Sequence, residues 1–220
     1  LWLCLSRQGS VFLLGYLYFR LLYKRYPSLR YGGDVISIFG DTYTNVAIDN
    51  YNPNWGQAGY GSANTSYDPG DGSTLLYYPN FNYQGIQLVG GHDASDMEYL
   101  HVDLWTLSTS AIKVSPINAG TGPGDALQTI SHSIGSWTSV DIPIGDFTGM
   151  TWDSVFQLKF AGGSNSDEFY VDNIYFWKEP AAAGTDATLS DLQVDSATLT
   201  GFSSGTTSYT YGLVDGTATV

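Results

Sequence analysis

The sequence predicts an all-β protein, a β-sandwich of the jelly-roll kind, and three observations predict it. Short runs of alternating apolar and polar residues recur from Asp34 to about Lys178, broken roughly every ten residues by Gly, Asn, Asp and Pro clusters. No stretch in that region carries helical periodicity. The chain is also rich in residues that suit a pleated surface, with 6 Trp, 17 Tyr and 10 Phe, while only 13% is charged. Disordered chains show the reverse balance. At 220 residues there is room for one good-sized domain with an adequate core plus a fragment of another.

Residues 1–33 differ from all that follows. They hold five of the eight basic residues (Arg7, Arg20, Lys24, Arg25, Arg30) and no acid. The apolar run Val11–Tyr23 is interrupted by Arg20 and is shorter than the ~20 residues a membrane span needs. It has features of an export leader, yet no small-residue cleavage site follows, so a leader remnant and a leader-like tail of artefactual origin both fit. No stable membrane insertion is expected.

Eight candidate strands fill residues 34–178: "VISIFG", "TLLYYP", "YQGIQLVG", "EYLHVDLWTL", "AIKVSPI", "WTSVDIPI", "VFQLKFAG" and "EFYVDNIYFWK". Residues 179–187, "EPAAAGTDA", read as a linker. In 188–220, Leu189, Leu192, Val194, Leu199, Phe202 and Tyr209 follow the L-x-x-L-x-V…L…F…Y spacing of cadherin-like β-sandwich repeats. That resemblance implies a second β domain cut short by the end of the chain, and hence a multidomain extracellular parent, secreted or at the cell surface.

Charge and cysteine content exclude some functions. With 8 basic against 21 acidic residues the net charge is −13, which repels a phosphate backbone, so no nucleic-acid partner is expected. The one cysteine, Cys4, permits no intrachain disulfide, and a large core needs none for export.

Strand alternation sorts the polar residues. With Leu100, Val102 and Leu104 in the core, His101, Asp103 and Trp105 share the other face. Ile112 and Val114 go in, leaving Lys113 and Ser115 out. Phe156, Leu158 and Phe160 go in, leaving Gln157 and Lys159 out; Ile86 and Leu88 go in, leaving Gln87 out. An exposed Trp among planar amides and charges suits a groove that stacks a sugar ring and hydrogen-bonds its hydroxyls. Alternatively, Trp105 is covered by a loop such as 51–72 and forms a second small core. Trp55 and Gln57, in the Gly-rich "NPNWGQAGYG", are either a stacking platform beside the groove or anchors of their own loop. Trp137 and Trp152, at strand starts, are expected to plug the sandwich ends.

Taken jointly, "DVISIFGDTYTNV", "YNPNWGQA", "NYQGIQL", "MEYLHVDLWT", "WTSVDIPIGDF" and "FYVDNIYFWK" resemble a known module. It is the non-catalytic β-sandwich carbohydrate-binding domain attached to secreted polysaccharide-degrading enzymes, especially family 16 glucanases of Bacteroidetes. The resemblance spans residues 34–178 and implies a jelly roll, a β-glucan-type ligand and a covalently linked catalytic domain in the parent. It also implies one structural Ca²⁺, with Asp172 of "FYVDNIYF" and Asp41 as ligands, completed by backbone carbonyls and water. "YDPGDGS", with Asp68 and Asp71, looks calcium-like but lacks the spacing of an EF-hand loop and reads as a turn.

Asp96, Glu98, His101 and Asp103 crowd one stretch as a glycosidase site would. A retaining pair needs carboxyls about 5–5.5 Å apart and an inverting pair about 6.5–9.5 Å. Parity puts Glu98 on the Leu100 face and Asp103 on the opposite one, so they cannot pair across a groove. The E-x-D-x-x-E run of family 16 catalytic domains is absent, and His92, His101 and His132 show no metal-ligand spacing. A lyase-type Tyr/His pair stays open. The expected role is sugar binding without chemistry by Trp55, Gln57, Gln87, His101, Asp103, Trp105, Gln157 and Lys159. The alternative is a structural or adhesion domain of a bacterial surface protein with no sugar ligand.

Overall fold

A computed structural model describes residues 34–118 and 126–180, together with the backbone of 193–194 and 197–198. The segments 1–33 and 119–125 and almost all of 181–220, including every member of the cadherin-like spacing except the backbone of Val194, lie outside the described residues. The chain divides into two compact units, Leu1–Pro180 and Ala181–Val220. In the second, the backbone pairs as a short antiparallel ladder, Gln193–Val194 on Ala197–Thr198.

The eight expected strands are all present in the first unit. They are β1 (Val35–Phe39), β4 (Leu75–Phe81), β5 (Tyr83–His92), β6 (Tyr99–Thr106), β7 (Ile112–Asn118), β9 (Thr138–Pro143), β10 (Val155–Ala161) and β11 (Asp167–Trp177). Three short edge strands join them: β2 (Ile48–Asn50), β3 (Asn64–Tyr67) and β8 (Gln128–Ile130). Three or four residues are too few for alternation to register, which is why the sequence hid them.

These strands form two antiparallel sheets. The first runs β3-β4-β11-β6-β9, with β1 also on β11; the second runs β2-β5-β10-β7-β8. Successive strands β4, β5, β6 and β7 alternate between the sheets, as in a jelly roll. Among the described residues no helix is long and apolar enough to cross a membrane.

The core lies between the sheets, where alternation predicted it. Leu100, Val102 and Leu104 of β6 meet Ile86 and Leu88 of β5, Ile112 and Val114 of β7, and Leu158 and Phe160 of β10. One strand departs from the expected parity. The register of β10 shifts between Val155 and Gln157, so Val155 enters the core in place of Phe156. A second irregularity lies in β11, where Asp172 faces Asp103 but Tyr175 faces His101. That register admits one extra residue, with Asn173 at φ 47°, a conformation Asn tolerates better than branched residues. Both Val171 and Ile174 therefore reach the core.

Candidate functional site

The outward side chains of the second sheet form a grid of three rows across β5, β10 and β7. Gln157 pairs with Gln87 on one side and Ile117 on the other. Lys159 pairs with Gly85 and Ser115, and Ala161 with Tyr83 and Lys113. Apart from Gly85 and Ser115, which are buried, the members of this grid are half-buried, as a groove floor should be. The groove over it has a volume of about 470 Å³, and Trp55, Asn82, Tyr83, Ile117, Gln157, Lys159 and Ala161 line it.

Trp55 comes from the loop after β2, and that loop is built to hold it. Its backbone N–H donates to Gln57 Oε1 (2.8 Å) and its carbonyl accepts from Tyr83 Oη (2.8 Å). Gly56, at φ 80°, makes the turn between them. The indole then lies over Gly85 so closely that a Cβ there would stand 2.4 Å from its ring. Only glycine leaves space for this. Across the floor, Gln157 Nε2 donates to Gln87 Oε1, which orients two amides side by side.

Gln57 is placed differently from the expectation that it touches a ligand. It is 5% exposed, and its amide donates to Asn52 Oδ1 (3.2 Å), Pro53 O (2.8 Å) and Gln84 Oε1 (3.3 Å). With its oxygen taken by the Trp55 N–H, all its capacity goes into bracing the loop.

A larger correction concerns His101, Asp103 and Trp105. They do share one face of β6, but β6 belongs to the first sheet, so they lie on the opposite side of the sandwich from Gln87, Gln157 and Lys159. They are also buried, at 5%, 1% and 0% exposure. Trp105 packs with Leu75 and Tyr170, flanked by Tyr67, Tyr77 and Trp137, as a second apolar cluster. Tyr67 comes from the 51–72 region, so the second small core is the arrangement found. Trp137 belongs to this cluster, whereas Trp152 packs on the main core against Phe147 and Phe176.

His101 is held between two carboxylates. Its Nδ1 lies 2.7 Å from Asp141 Oδ1 and its Nε2 3.3 Å from Asp103 Oδ1, with Tyr175 stacked on the ring at 4.5 Å. Burial disfavours the imidazolium, but the hydrogen bonds and charges of Asp103 and Asp141 outweigh it and raise the pKa above 6.5. Asp141 Oδ1 also accepts from Trp177 Nε1 (2.7 Å), and Asp103 Oδ2 accepts from Asn173 Nδ2 (2.7 Å). This is a structural network, with its polar groups turned on one another.

The expected calcium ligands sit beside one backbone contact. Gly40, at φ 144°, packs against Asn173, whose Oδ1 would be 3.0 Å from a Cβ there. Asp41 follows Gly40 and is exposed; Asp172 precedes Asn173 and is buried. Asp172 Oδ1 accepts from the Asn173 N–H at 2.8 Å. Among the described residues no three His, Cys, Asp or Glu side chains gather as a metal-holding group. The residues present fit a hard cation only with carbonyl or water oxygens supplementing the two acids. Asp68 and Asp71 form turns, Asp68 Oδ1 accepting from Gly70 N (2.7 Å) and Asp71 Oδ1 from Ser73 N (2.9 Å).

The groove residues that sequence reasoning missed are Asn82, Tyr83, Ile117 and Ala161. Alternation carried one step further along each strand, from Gly85 to Tyr83 and from Ser115 to Ile117, would have found two of them.

No known family profile matches the chain, and no curated protein does. Solved structures with a similar fold include the family 30 carbohydrate-binding module of the Clostridium thermocellum cellulosomal cellulase Cel9D-Cel44B. It is 17% identical with a TM-score of 0.46, over 67% of this chain and 99% of that one. The family 11 module of Lic26A-Cel5E from the same organism is 20% identical, with a TM-score of 0.40, over 54% of this chain and 82% of that one. A family 29 module is 14% identical, with a TM-score of 0.43, over 64% of this chain and 86% of that one. At such identities no residue role transfers from them.

Proposed function

We propose that residues 34–178 are a non-catalytic polysaccharide-binding module, with a β-glucan-type chain as ligand, in a secreted or cell-surface polysaccharide-degrading parent. The observation that carries this reading is the clamped indole of Trp55 above a floor of paired amides. A half-buried, immobilised aromatic offers a stacking surface for the apolar face of a pyranose at little cost in side-chain entropy. Gln87 and Gln157 present fixed donors and acceptors to neighbouring hydroxyls, and each such hydrogen bond nets only about 0.5–1.5 kcal/mol. Affinity at one site is therefore modest, and attachment to a multidomain parent multiplies it.

The same geometry favours holding over cutting. The described residues that line the groove include no carboxyl group, whereas two-carboxylate hydrolysis needs a pair flanking the bond. Asp103 and His101 are turned away on the other sheet. We also propose a structural Ca²⁺ held by Asp41 and Asp172, which would tie the end of β1 to β11.

Affinity electrophoresis of the 220-residue chain in gels containing laminarin, mixed-linkage glucan or xylan tests the reading. Retardation in at least one gel, lost in Trp55→Ala with the fold retained by circular dichroism, is the expected result. Free migration in all of them leaves a structural or adhesion domain as the better account.

A further inference from the structure

Asn82 is the one residue between β4 and β5, at the corner where the chain passes from the first sheet to the second. Its side-chain oxygen accepts two backbone hydrogen bonds, from the Tyr83 N–H (2.8 Å) and from the Ala58 N–H (3.1 Å). Its backbone carbonyl accepts a third, from the Gly162 N–H (2.9 Å) just past the end of β10. Both partners of the side chain are donors, so only the amide oxygen can face them and the NH2 group turns the other way. Asn82 is half-buried and lines the groove together with Trp55. Among the described residues no hydrogen bond engages its Nδ2.

The loop that fixes this amide also fixes the indole. Ala58 follows Gln57, whose side-chain oxygen holds the Trp55 N–H, so one loop sets both the stacking ring and the donors. Trp55 rests over Gly85. Tyr83 stands about 6.5 Å from Gly85 along β5, and Asn82 one residue further. In the opposite direction lie Gln87 and Gln157, whose mutual hydrogen bond leaves one NH2 group and one amide oxygen for a ligand. The two ends of the groove therefore differ: Asn82 only donates, whereas the paired glutamines donate and accept.

Resting on the polysaccharide-binding reading above, we propose that Asn82 is a specificity-determining residue, donating from Nδ2 to an oxygen of the sugar next to the one stacked on Trp55. The oxygen it takes is one that accepts there without donating: a ring or glycosidic oxygen, or a hydroxyl whose hydrogen points elsewhere. The ligand is then a run of at least two sugars lying along β5. Because the two ends of the groove differ, the site also tells one direction of the chain from the other.

Asn82→Asp separates this role from that of a loop anchor. The aspartate keeps the shape and the oxygen that accepts from Ala58 and Tyr83, and a charged acceptor strengthens both bonds. What it removes is the NH2 group, replaced by a second acceptor. The full 220-residue chain is run in gels of laminarin, mixed-linkage glucan and xylan, beside thermal melts of each variant. In whichever gel retards the unmodified chain, Asn82→Asp is expected to be retained roughly tenfold less while its melting temperature holds, because acceptor then faces acceptor. Asn82→Ser, whose short hydroxyl still accepts from the Tyr83 N–H but does not extend into the groove, should lose retention too. Asn54→Asp is the control. It adds the same charge beside Trp55, on an exposed residue outside the groove whose Oδ1 accepts from the Gly56 N–H (3.1 Å), and should be retained like the unmodified chain. Full retention by Asn82→Asp or Asn82→Ser leaves Asn82 an anchor and overturns the proposal while polysaccharide binding stands. A loss that comes with a lowered melting temperature in both variants does the same. An equal loss in Asn54→Asp assigns the effect to charge and also overturns it. Free migration of the unmodified chain in all three gels overturns both readings.

Discussion

The indole of Trp55 rests on Gly85, and a methyl group at Gly85 would stand 2.4 Å from its ring carbon. One residue of β5 thus acts as the seat of a side chain delivered by a loop 30 positions away in sequence. Gly85→Ala must lift the ring. The expected outcome is roughly tenfold weaker retention by polysaccharide gels, with a loss of stability of about 1–3 kcal/mol. Unchanged retention would mean the stacked position of Trp55 is not the one that binds.

The two tryptophans first grouped together should now behave in opposite ways. Trp105→Ala empties the second apolar cluster and is expected to cost about 3–5 kcal/mol of stability. Trp55→Ala should cost little stability and most of the binding. Urea denaturation beside affinity gels checks both, and a stable Trp105→Ala that loses binding would contradict the assignment.

Gln57→Ala should leave the Trp55 N–H and the Pro53 carbonyl without their partners. A loss of about 1–3 kcal/mol follows from desolvated groups left unmade. Binding should weaken as well, because the loop no longer holds the indole at a fixed height.

The His101 network gives stability a defined pH dependence. Its pKa is raised on folding, so the folded state binds the proton more tightly than the unfolded state. The stabilisation is complete below the unfolded value near 6.5 and fades as pH rises through the higher folded value. Melting temperatures between about pH 5.5 and 8.5 should fall with rising pH in this window. His101→Gln should remove that slope.

For the proposed Ca²⁺, melting in calcium compared with melting after chelation should show a higher melting temperature with the ion. Asp172→Asn should abolish the difference while Asp68→Asn leaves it. No difference in the unmodified chain rejects the ion at this position.

Alternation told inward from outward along β5, β6 and β7, because each side chain's direction is a local property of the pleat. It could not say which of two outer faces an outward residue belongs to. That depends on sheet membership, and in this topology β6 lies in one sheet while β5, β7 and β10 lie in the other. So Gln87, Gln157 and Lys159 converge as expected and His101, Asp103 and Trp105 do not. The shift at Phe156 was hidden for a related reason, since the apolar neighbours Val155 and Phe156 fit either parity.

The rows of the grid join distant parts of the chain. Gln87 and Gln157, which share a hydrogen bond, are 70 residues apart in sequence. No hairpin or fragment contains a row, so no partly folded intermediate built from local pairings displays one. Closing such long loops is slow, and topologies of this kind fold on millisecond-to-second timescales. Ligand capture and completion of the native topology should therefore appear together in a refolding experiment, with the last strand to dock switching on both.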